Sequence, residues 1–324
     1  MDTLSALLSL YPVSTALTVR CHFGKPWALD QPQSAPGVAP YHLIIEGSAW
    51  LDAGPYAHYP LAAGDIVVFP RGGVHRLSMA EHGEIPAPVR QQQGSHLLRL
   101  VANGGPGPAT DILCGEFRFD ALASASLLLA LPEVMVISTK GRADFRGLRA
   151  LLDLLRAETE TAGAGNSVVV GHLASALFAL IMRAWIERPG EVPGLFGLLA
   201  EPRLRAAVDA MLSCPQQAWT VERMASLCHM SRATFARAFV RAAGAAPATV
   251  LAHLRMARAA RALTQNRRSA AAIGEDVGYQ SEAAFSRSFK RIYGVGPGEY
   301  RRNATRPGSA PAVAASAVAA ALAR

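Results

Sequence analysis

The sequence is poor in charge and in cysteine, and each shortage excludes a class of protein. Only 17% of its 324 residues are charged while 51% are hydrophobic, which excludes a disordered chain. The length is sufficient for two domains, each with a core of its own. The four cysteines, Cys21, Cys114, Cys214 and Cys228, are expected to be thiols and not structural disulfides.

Features of export and of membrane insertion are also missing. The first residues, MDTLSALLSLYPVS, have no basic group ahead of their apolar stretch, so they are not typical of a signal peptide. The most apolar run, LASALFALIM, is too short to cross a bilayer. We therefore expect a cytoplasmic protein with no membrane partner.

Positive charge is concentrated in one part of the chain. Residues 196–303 hold sixteen Lys and Arg against seven Asp and Glu, a net charge of +9. Residues 1–195 hold fourteen against seventeen, a net charge of −3. This asymmetry predicts a polyanionic partner for the C-terminal part.

The periodicity of the sequence changes twice along the chain. Residues 1–130 contain short β-rich segments with Gly and Pro between them, such as TALTVRCHF and DILCGEFRF, which predict a barrel or sandwich. Residues 131–194 predict two helices, which either cover the barrel or pair with a second subunit. Residues 195–303 are helical in pattern, and residues 304–324 form an Ala-rich tail that we expect to be disordered.

One short frame occurs twice in the helical part. SRATFARAFVRAAGAAP begins at Ser231 and SEAAFSRSFKRIYGVGP begins at Ser281, fifty positions later. The repeated residues are a serine suited to cap a helix, an aromatic core, a terminal glycine and a proline stop. They are Ser231, Phe235, Arg237, Phe239, Arg241, Gly244 and Pro247, with their partners Ser281, Phe285, Arg287, Phe289, Arg291, Gly294 and Pro297.

Each copy predicts a helix-turn-helix unit. A short helix precedes each capping serine, and the helix after it has an apolar back and a polar front. Arg237 and Arg287 can each make a bidentate pair with guanine, and Ala233 and Ala283 can contact thymine methyl groups. The segment PATVLAHLRMARAARALTQ (247–265) predicts one long helix between the two units, with an arginine edge facing solvent or phosphate.

Residues 196–303 resemble the DNA-binding domain of the AraC/XylS-type transcription regulators. The stretch AAIGEDVGYQSEAAFSRSFKRIYGVGPGEYR matches the signature of that family. The resemblance implies double-stranded DNA and RNA polymerase as partners, and activation more than repression. It also implies base contacts from Arg232, Ala233, Ala236, Arg237, Glu282, Ala283, Ala284, Ser286 and Arg287.

The segment GDIVVFPRGGVH resembles the second motif of the cupin barrels, with His75 in the position of a metal ligand. Of the first cupin motif, only His42, Glu46 and Gly47 in YHLIIEG have a counterpart. A catalytic cupin needs three or four ligands on one metal, so we do not expect an enzyme. The expected fold class is α+β multidomain, with a cupin-like barrel and helical pair ahead of an all-α domain.

Cys21 and Cys114 lie in strand-like segments at the two ends of the barrel sequence, where strands are often neighbours. Arg20 and His22 flank Cys21 and can lower the pKa of its thiol if they point toward it. One interpretation is a reversible redox switch, another is inert packing, and a third is a Zn²⁺ site of Cys21, His42, His75 and Cys114. No cofactor is required by the first two interpretations.

Segments throughout the N-terminal part, among them RCHFGKPWAL, YHLIIEGSAWL and LCGEFRF, resemble the cupin-bearing regulators that respond to reactive chlorine and related oxidants. The resemblance implies that Cys21 and Cys114 are the sensing thiols. The alternative is the same type of regulator with a small organic effector or a metal ion in the barrel.

Overall fold

The computed structural model describes residues 2–79, 89–92, 98–120, 127–128, 131–140, 145–160, 163–188 and 194–304. Most of the tail predicted to be disordered lies outside these residues. The chain divides into two compact units. The barrel unit comprises the described parts of residues 13–118 and 132–185, and the helical unit those of 1–12, 119–131 and 186–312.

Eleven strands are present among the described residues, all in the barrel unit. Segments rich in β-branched and aromatic residues form them, and Gly47 and Gly64 end strands in the left-handed conformation that glycine favours. The strands are β1 (Val13–Gly24), β2 (Ala28–Gln31), β3 (Val38–Glu46), β4 (Ser48–Ala53), β5 (Tyr56–Ala62), β6 (Asp65–Val68), β7 (His75–Ser78), β8 (Val89–Gln92), β9 (Arg99–Asn103), β10 (Ala109–Phe119) and β11 (Met135–Ser138).

The described part of the chain also forms eleven α-helices and a short 3₁₀ turn at Pro202–Leu204. The helices are α1 (Thr3–Leu10), α2 (Arg146–Glu160), α3 (Asn166–Ile186), α4 (Leu195–Ala200), α5 (Arg205–Ser213), α6 (Val221–Leu227), α7 (Arg232–Ala243), α8 (Pro247–Gln265), α9 (Ala270–Asp276), α10 (Glu282–Tyr293) and α11 (Pro297–Ala304).

The strands make two sheets that enclose one apolar core. The larger sheet has the order β11-β6-β3-β10-β1-β9-β8, and the smaller has the order β2-β7-β4-β5. Strands β1 and β10 are central neighbours although they come from opposite ends of the barrel sequence. Large side chains such as Phe23, Trp27 and Phe69 are fully buried between the sheets.

Helices α2 and α3 belong to the barrel unit. The inward stripe of α2 is the predicted one, with Leu148, Leu151, Leu152 and Leu155 buried. Helix α3 is long and apolar enough to cross a membrane by length and composition alone, although 44% of its most apolar window is buried. The ten-residue run considered from the sequence alone underestimated the length of this apolar segment, because apolar residues continue on both sides of the run. Its buried residues, including Phe178 and Trp185, are typical of a core helix.

The helical unit includes residues from both ends of the chain. Helix α1 begins at the cap of Asp2, whose carboxylate accepts from the backbone N–H of Ser5. Leu7 is fully buried, and the hydroxyl of Thr3 donates to Asp209 on α5. The predicted division places residues 1–130 in a barrel domain, 131–194 in a helical region and 195–303 in a DNA-binding domain. The observed units differ from it, because residues 1–12 and the described parts of 119–131 belong to the helical unit and those of 132–185 to the barrel unit.

The two copies of the repeat fold alike. Helices α7 and α10 have the same length, a capping serine at the start and a left-handed glycine at the end, Gly244 and Gly294. The helices before them are offset by forty-nine residues and not fifty, because caps Thr220 and Ser269 begin them. The turn of the second unit is thus one residue longer.

Candidate nucleic-acid interface and buried thiol site

The predicted base-reading residues all lie on the open side of the two recognition helices. In α7, Arg232, Ala233 and Arg237 are exposed and Ala236 is half-buried. In α10, Glu282, Ala283 and Arg287 are exposed, whereas Ala284 and Ser286 are half-buried. None of the nine side chains is used in the core, so this face is available to a ligand.

The opposite side of each helix fixes its position. Phe235 and Phe239 in α7, and Phe285 and Phe289 in α10, have no exposed surface. Complete burial of a phenyl ring favours the folded state by roughly 1.5–3 kcal/mol. The aromatic pair repeated in the sequence therefore anchors each recognition helix and leaves its front free.

The arginines of the reading faces differ in their partners. Arg232 forms an exposed ion pair with Glu222 on α6, with 2.9 Å between Nε and Oε1. Arg237 and Arg287 make no ion pair within the described chain, so their guanidinium groups retain their full bidentate capacity. This places the two strongest base-reading candidates at equivalent positions in the two units.

The arginine edge of α8, which the sequence predicted to face solvent or phosphate, consists of Arg255, Arg258 and Arg261. Two of the three are instead held by backbone carbonyls. Arg255 donates from Nε to the carbonyl of Pro215 at 2.7 Å and from Nη2 to that of Gln217 at 2.9 Å. Its guanidinium also lies 5.9 Å from the ring centre of Tyr279, in the turn of the second unit. Arg261 donates to the carbonyl of Ser9, and Arg258 alone of the three is exposed.

Gly278 lies at the same contact, between the turn of the second unit and the segment ahead of the first. It has a φ of +88°, and a Cβ atom there would come within 2.6 Å of the carbonyl oxygen of Gln216. The longer turn of the second unit is therefore held directly against the segment that leads into the first. Arg255 and Gly278 together fix how the two helix-turn-helix units are oriented.

Replacement of Arg255 by alanine should lower the free energy of unfolding of the helical unit by about 1.5–3 kcal/mol, because two hydrogen bonds from a charged group are lost. Affinity for a duplex that engages both recognition helices should also fall, although Arg255 touches no base. Urea unfolding and fluorescence anisotropy measure the two effects. The exposed Arg258→Ala is the matched control, and an equal loss in that variant would contradict the structural role.

The second candidate site lies inside the barrel unit, where four side chains form a chain of contacts. The sulfur of Cys21 on β1 is 3.9 Å from that of Cys114 on β10. Cys114 lies directly opposite His42 on β3, and its sulfur is 3.1 Å from Nδ1 of His42. Nε2 of His42 is 2.8 Å from Nε2 of His75 on β7, in the facing sheet. All four are buried, with 3% of His75 exposed and none of the others.

The donor and the acceptor of each hydrogen bond in this series can be assigned by starting from His75, at one end of it. Nδ1 of His75 is 2.8 Å from the carbonyl of Gly73, which can only accept, so that nitrogen carries a proton. Burial, and then the charge of His42, lowers the pKa of His75 to about 3, so the ring is neutral and its Nε2 accepts. His42 must therefore donate from Nε2. Its Nδ1 is left to share one proton with the sulfur of Cys114.

The two thiols consequently differ in acidity. The hydrogen bond from Cys21, together with His42, lowers the pKa of Cys114 to about 6, although burial opposes the shift. The same hydrogen bond and burial raise the pKa of Cys21. Around neutral pH, Cys114 is the thiolate and Cys21 is the thiol that donates to it.

The sequence suggested that Arg20 and His22 lower the pKa of the Cys21 thiol, but neither side chain reaches it. Side chains alternate along β1, so Arg20 and His22 point to the other face. Arg20 binds Asp111 and Glu160 there, and His22 is exposed. The cysteine with an activating neighbour is instead Cys114, which lies opposite His42. That pairing follows from the register of β3 against β10 and is not shown by any local pattern in the sequence.

The four side chains meet, but their donor atoms do not surround one point. His42 uses its two ring nitrogens on different neighbours, Cys114 on one side and His75 on the other. A tetrahedral Zn²⁺ site requires all four donors within about 2.0–2.3 Å of the ion. Within the described residues, no three His, Cys, Asp or Glu side chains are placed to hold one metal ion. This arrangement does not fit a four-ligand site.

Comparison with known families agrees with both halves of the chain. Residues 2–187 match the model of a cupin family, and residues 224–303 match that of a helix-turn-helix domain. A solved transcriptional regulator with an AraC-type DNA-binding domain, from Chromobacterium violaceum, is 28% identical over 33% of this chain and 96% of its own, with a TM-score of 0.32.

Full-length relatives extend the match over nearly the whole chain. The RCS-specific HTH-type transcriptional activator RclR of Escherichia coli is 31% identical, covering 93% of this chain and 97% of its own. The HTH-type transcriptional regulator MtrA of Neisseria gonorrhoeae is also 31% identical, covering 93% and 98%. With a cupin domain ahead of a doubled helix-turn-helix unit, the chain belongs to the AraC family of DNA-binding transcription regulators.

Proposed function

We propose that this regulator is a cytoplasmic transcription activator that senses reactive chlorine and related oxidants through Cys114 and Cys21. The observation that carries the proposal is the ordered chain of contacts from His75 through His42 to Cys114 and Cys21. It supplies an activated thiolate and a second thiol beside it. The resemblance to an activator named RCS-specific supports the choice of oxidant.

The chemistry has two steps. The thiolate of Cys114 attacks the chlorine of hypochlorous acid, forming a sulfur–chlorine bond and releasing hydroxide. The sulfur of Cys21 then displaces chloride to form a disulfide, and its proton passes to the hydroxide. Two electrons move from the two sulfur atoms to chlorine, and His42 holds the proton of Cys114 beforehand.

Burial makes the site selective. Neither sulfur has exposed surface, so a bulky disulfide such as oxidised glutathione cannot reach it, whereas a small neutral oxidant can enter during local opening. Disulfide formation requires the sulfur atoms to approach from 3.9 Å to about 2.05 Å. In a closely packed core this movement displaces the neighbouring side chains and strains β1 and β10.

Strand β1 offers a covalent path for the signal. Only Tyr11 and Pro12 separate it from α1, which is packed in the helical unit on α5 and α8. Helix α8 joins the two helix-turn-helix units, so a shift of β1 can bias their arrangement on DNA.

The partners follow from the same proposal. Promoter DNA binds the exposed faces of α7 and α10, and RNA polymerase is the partner of an activator bound there. Apolar residues left exposed on α2 and α3, namely Leu154, Val168 and Val169, favour a homodimer through these helices. Sedimentation equilibrium of the purified protein measures this association directly.

The proposal is tested by oxidising the reduced protein with one equivalent of hypochlorous acid. Peptide mapping should find a disulfide between Cys21 and Cys114, with Cys214 and Cys228 unmodified as internal controls. DNA affinity measured on the same samples should change together with the disulfide. Oxidation first at Cys228, or a disulfide with no change in DNA binding, would overturn the mechanism.

A further inference from the structure

We propose that the barrel unit carries a second ligand site, for a small organic carboxylate, in a cavity between α2 and the rim of the larger sheet. The cavity has a volume of about 620 Å³, within the range of sites for small ligands. Residues at the ends of β3, β5 and β11 form one wall, and one face of α2 forms the other. It shares no residue with the thiol cluster.

The cavity combines an apolar floor with a cationic side. Ile44, Ala62, Ala63 and Leu152 supply apolar surface. Lys140, Arg149 and Arg156 also line it, against the single carboxylate of Asp153. A ligand that matches both features has a hydrocarbon part and an anionic head.

Two of the three cations are available to such a head group. Arg156 is engaged, because it pairs with Glu160 at 3.2 Å and with Glu46 at 3.7 Å. Arg149 and Lys140, in contrast, make no ion pair with a carboxylate in the part of the chain that the structure describes. Both therefore retain the capacity to bind an incoming anion.

Arg149 is also held in place for this role. Its Nη1 donates to the carbonyl of Thr139 at 3.0 Å, and the hydroxyl of Thr139 donates to the carbonyl of Gly64 at 2.9 Å. Among the described residues, Arg149 forms no ion pair with Asp153, which lies one turn further along the same helix. The remaining N–H groups of the guanidinium can make the paired hydrogen bonds that a carboxylate accepts.

Hexanoate is a suitable probe, and 1-hexanol is its uncharged counterpart. Titration calorimetry and thermal unfolding of the full-length protein should show saturable binding of hexanoate and a rise in Tm that follows its concentration. 1-Hexanol at equal concentration should bind at least about tenfold more weakly, because it lacks the charge-assisted hydrogen bonds. The absence of saturable hexanoate binding, or equal binding of the alcohol, would overturn the proposal.

Three variants locate the site. Arg149→Ala and Lys140→Ala should each weaken hexanoate binding at least about tenfold. Arg146→Ala removes the same charge from an exposed position on the same helix and should leave binding unchanged. Full affinity in Lys140→Ala, or an equal loss in Arg146→Ala, contradicts the assignment. Cys114→Ser should bind hexanoate like the native chain, so this test is independent of oxidant sensing.

Discussion

Replacement of Cys114 by serine is expected to abolish disulfide formation and the change in DNA affinity on oxidation. The reason is the difference in thiolate content. A thiol with a pKa of about 6 is mostly ionised at pH 7, whereas one with an ordinary or raised pKa is ionised to about 3% or less. Loss of Cys114 should therefore slow the first oxidation at least about 30-fold, which quench-flow with mass spectrometry can measure.

Cys21→Ser is expected to behave differently. Cys114 should still be oxidised but should remain as a sulfenic acid, which a dimedone-type reagent traps. Cys228→Ser serves as the control, because burial raises the pKa of that thiol and no charged group in the described part of the chain lowers it. A variant lacking Cys114 that still forms its first oxidation product at the native rate would show that the order of the two thiols is wrong.

The pH dependence gives a second, independent signature. Hydrogen peroxide is the better oxidant here because it does not ionise in the relevant range. The lowered pKa of Cys114 means that the rate should rise tenfold per pH unit below about 6 and level off above it. In His42→Ala the imidazole partner is absent, so the midpoint should move upward. An unchanged midpoint would remove His42 from the mechanism.

Replacement of Arg287 by alanine is expected to weaken binding to the selected DNA sequence by about 1–3 kcal/mol, or roughly 5- to 150-fold. The guanidinium is exposed, unpaired by any described carboxylate and at the position equivalent to Arg237. The double variant Arg237→Ala with Arg287→Ala should lose roughly the sum, since the residues lie on separate helices. A duplex obtained by selection from a random library, followed by anisotropy titrations, measures the effect.

Arg291→Ala is the matched control for this prediction. It removes the same charge from an exposed position one turn further along α10, and it should lower affinity for specific and random duplexes alike. If Arg287→Ala also weakens both equally and only reduces the salt dependence, Arg287 contacts phosphate and not a base.

The doubled DNA-binding unit could be predicted because its determinants are local. The capping serines, the buried phenylalanines and the left-handed glycines each act within one helix, so their spacing appears directly in the sequence. The offset of the first helices was less visible, because Thr220 and Ser269 are different residues with the same capping function. The role of Arg255 was missed, since its carbonyl partners lie about forty positions away.

The residues of the thiol site could be predicted from the sequence, but which of the two thiols ionises could not. Strand patterns brought Cys21, Cys114, His42 and His75 under consideration, but the pairing of strands and the tautomers of two histidines decide which thiol ionises. Those depend on the carbonyl of Gly73 and on burial, which no local pattern encodes. The sequence pointed to Cys21 through its neighbours, whereas the structure points to Cys114.

The position of α1 bears on how this protein is made. A ribosome delivers Leu7 first and the helices that bury it some two hundred residues later, so the helical unit is incomplete until translation has passed α8. A polypeptide that stops early, or a fragment that starts after the barrel, lacks one half of that contact. Such a fragment is therefore expected to be less stable than the full-length chain, because the surface that covers Leu7 is left open to solvent.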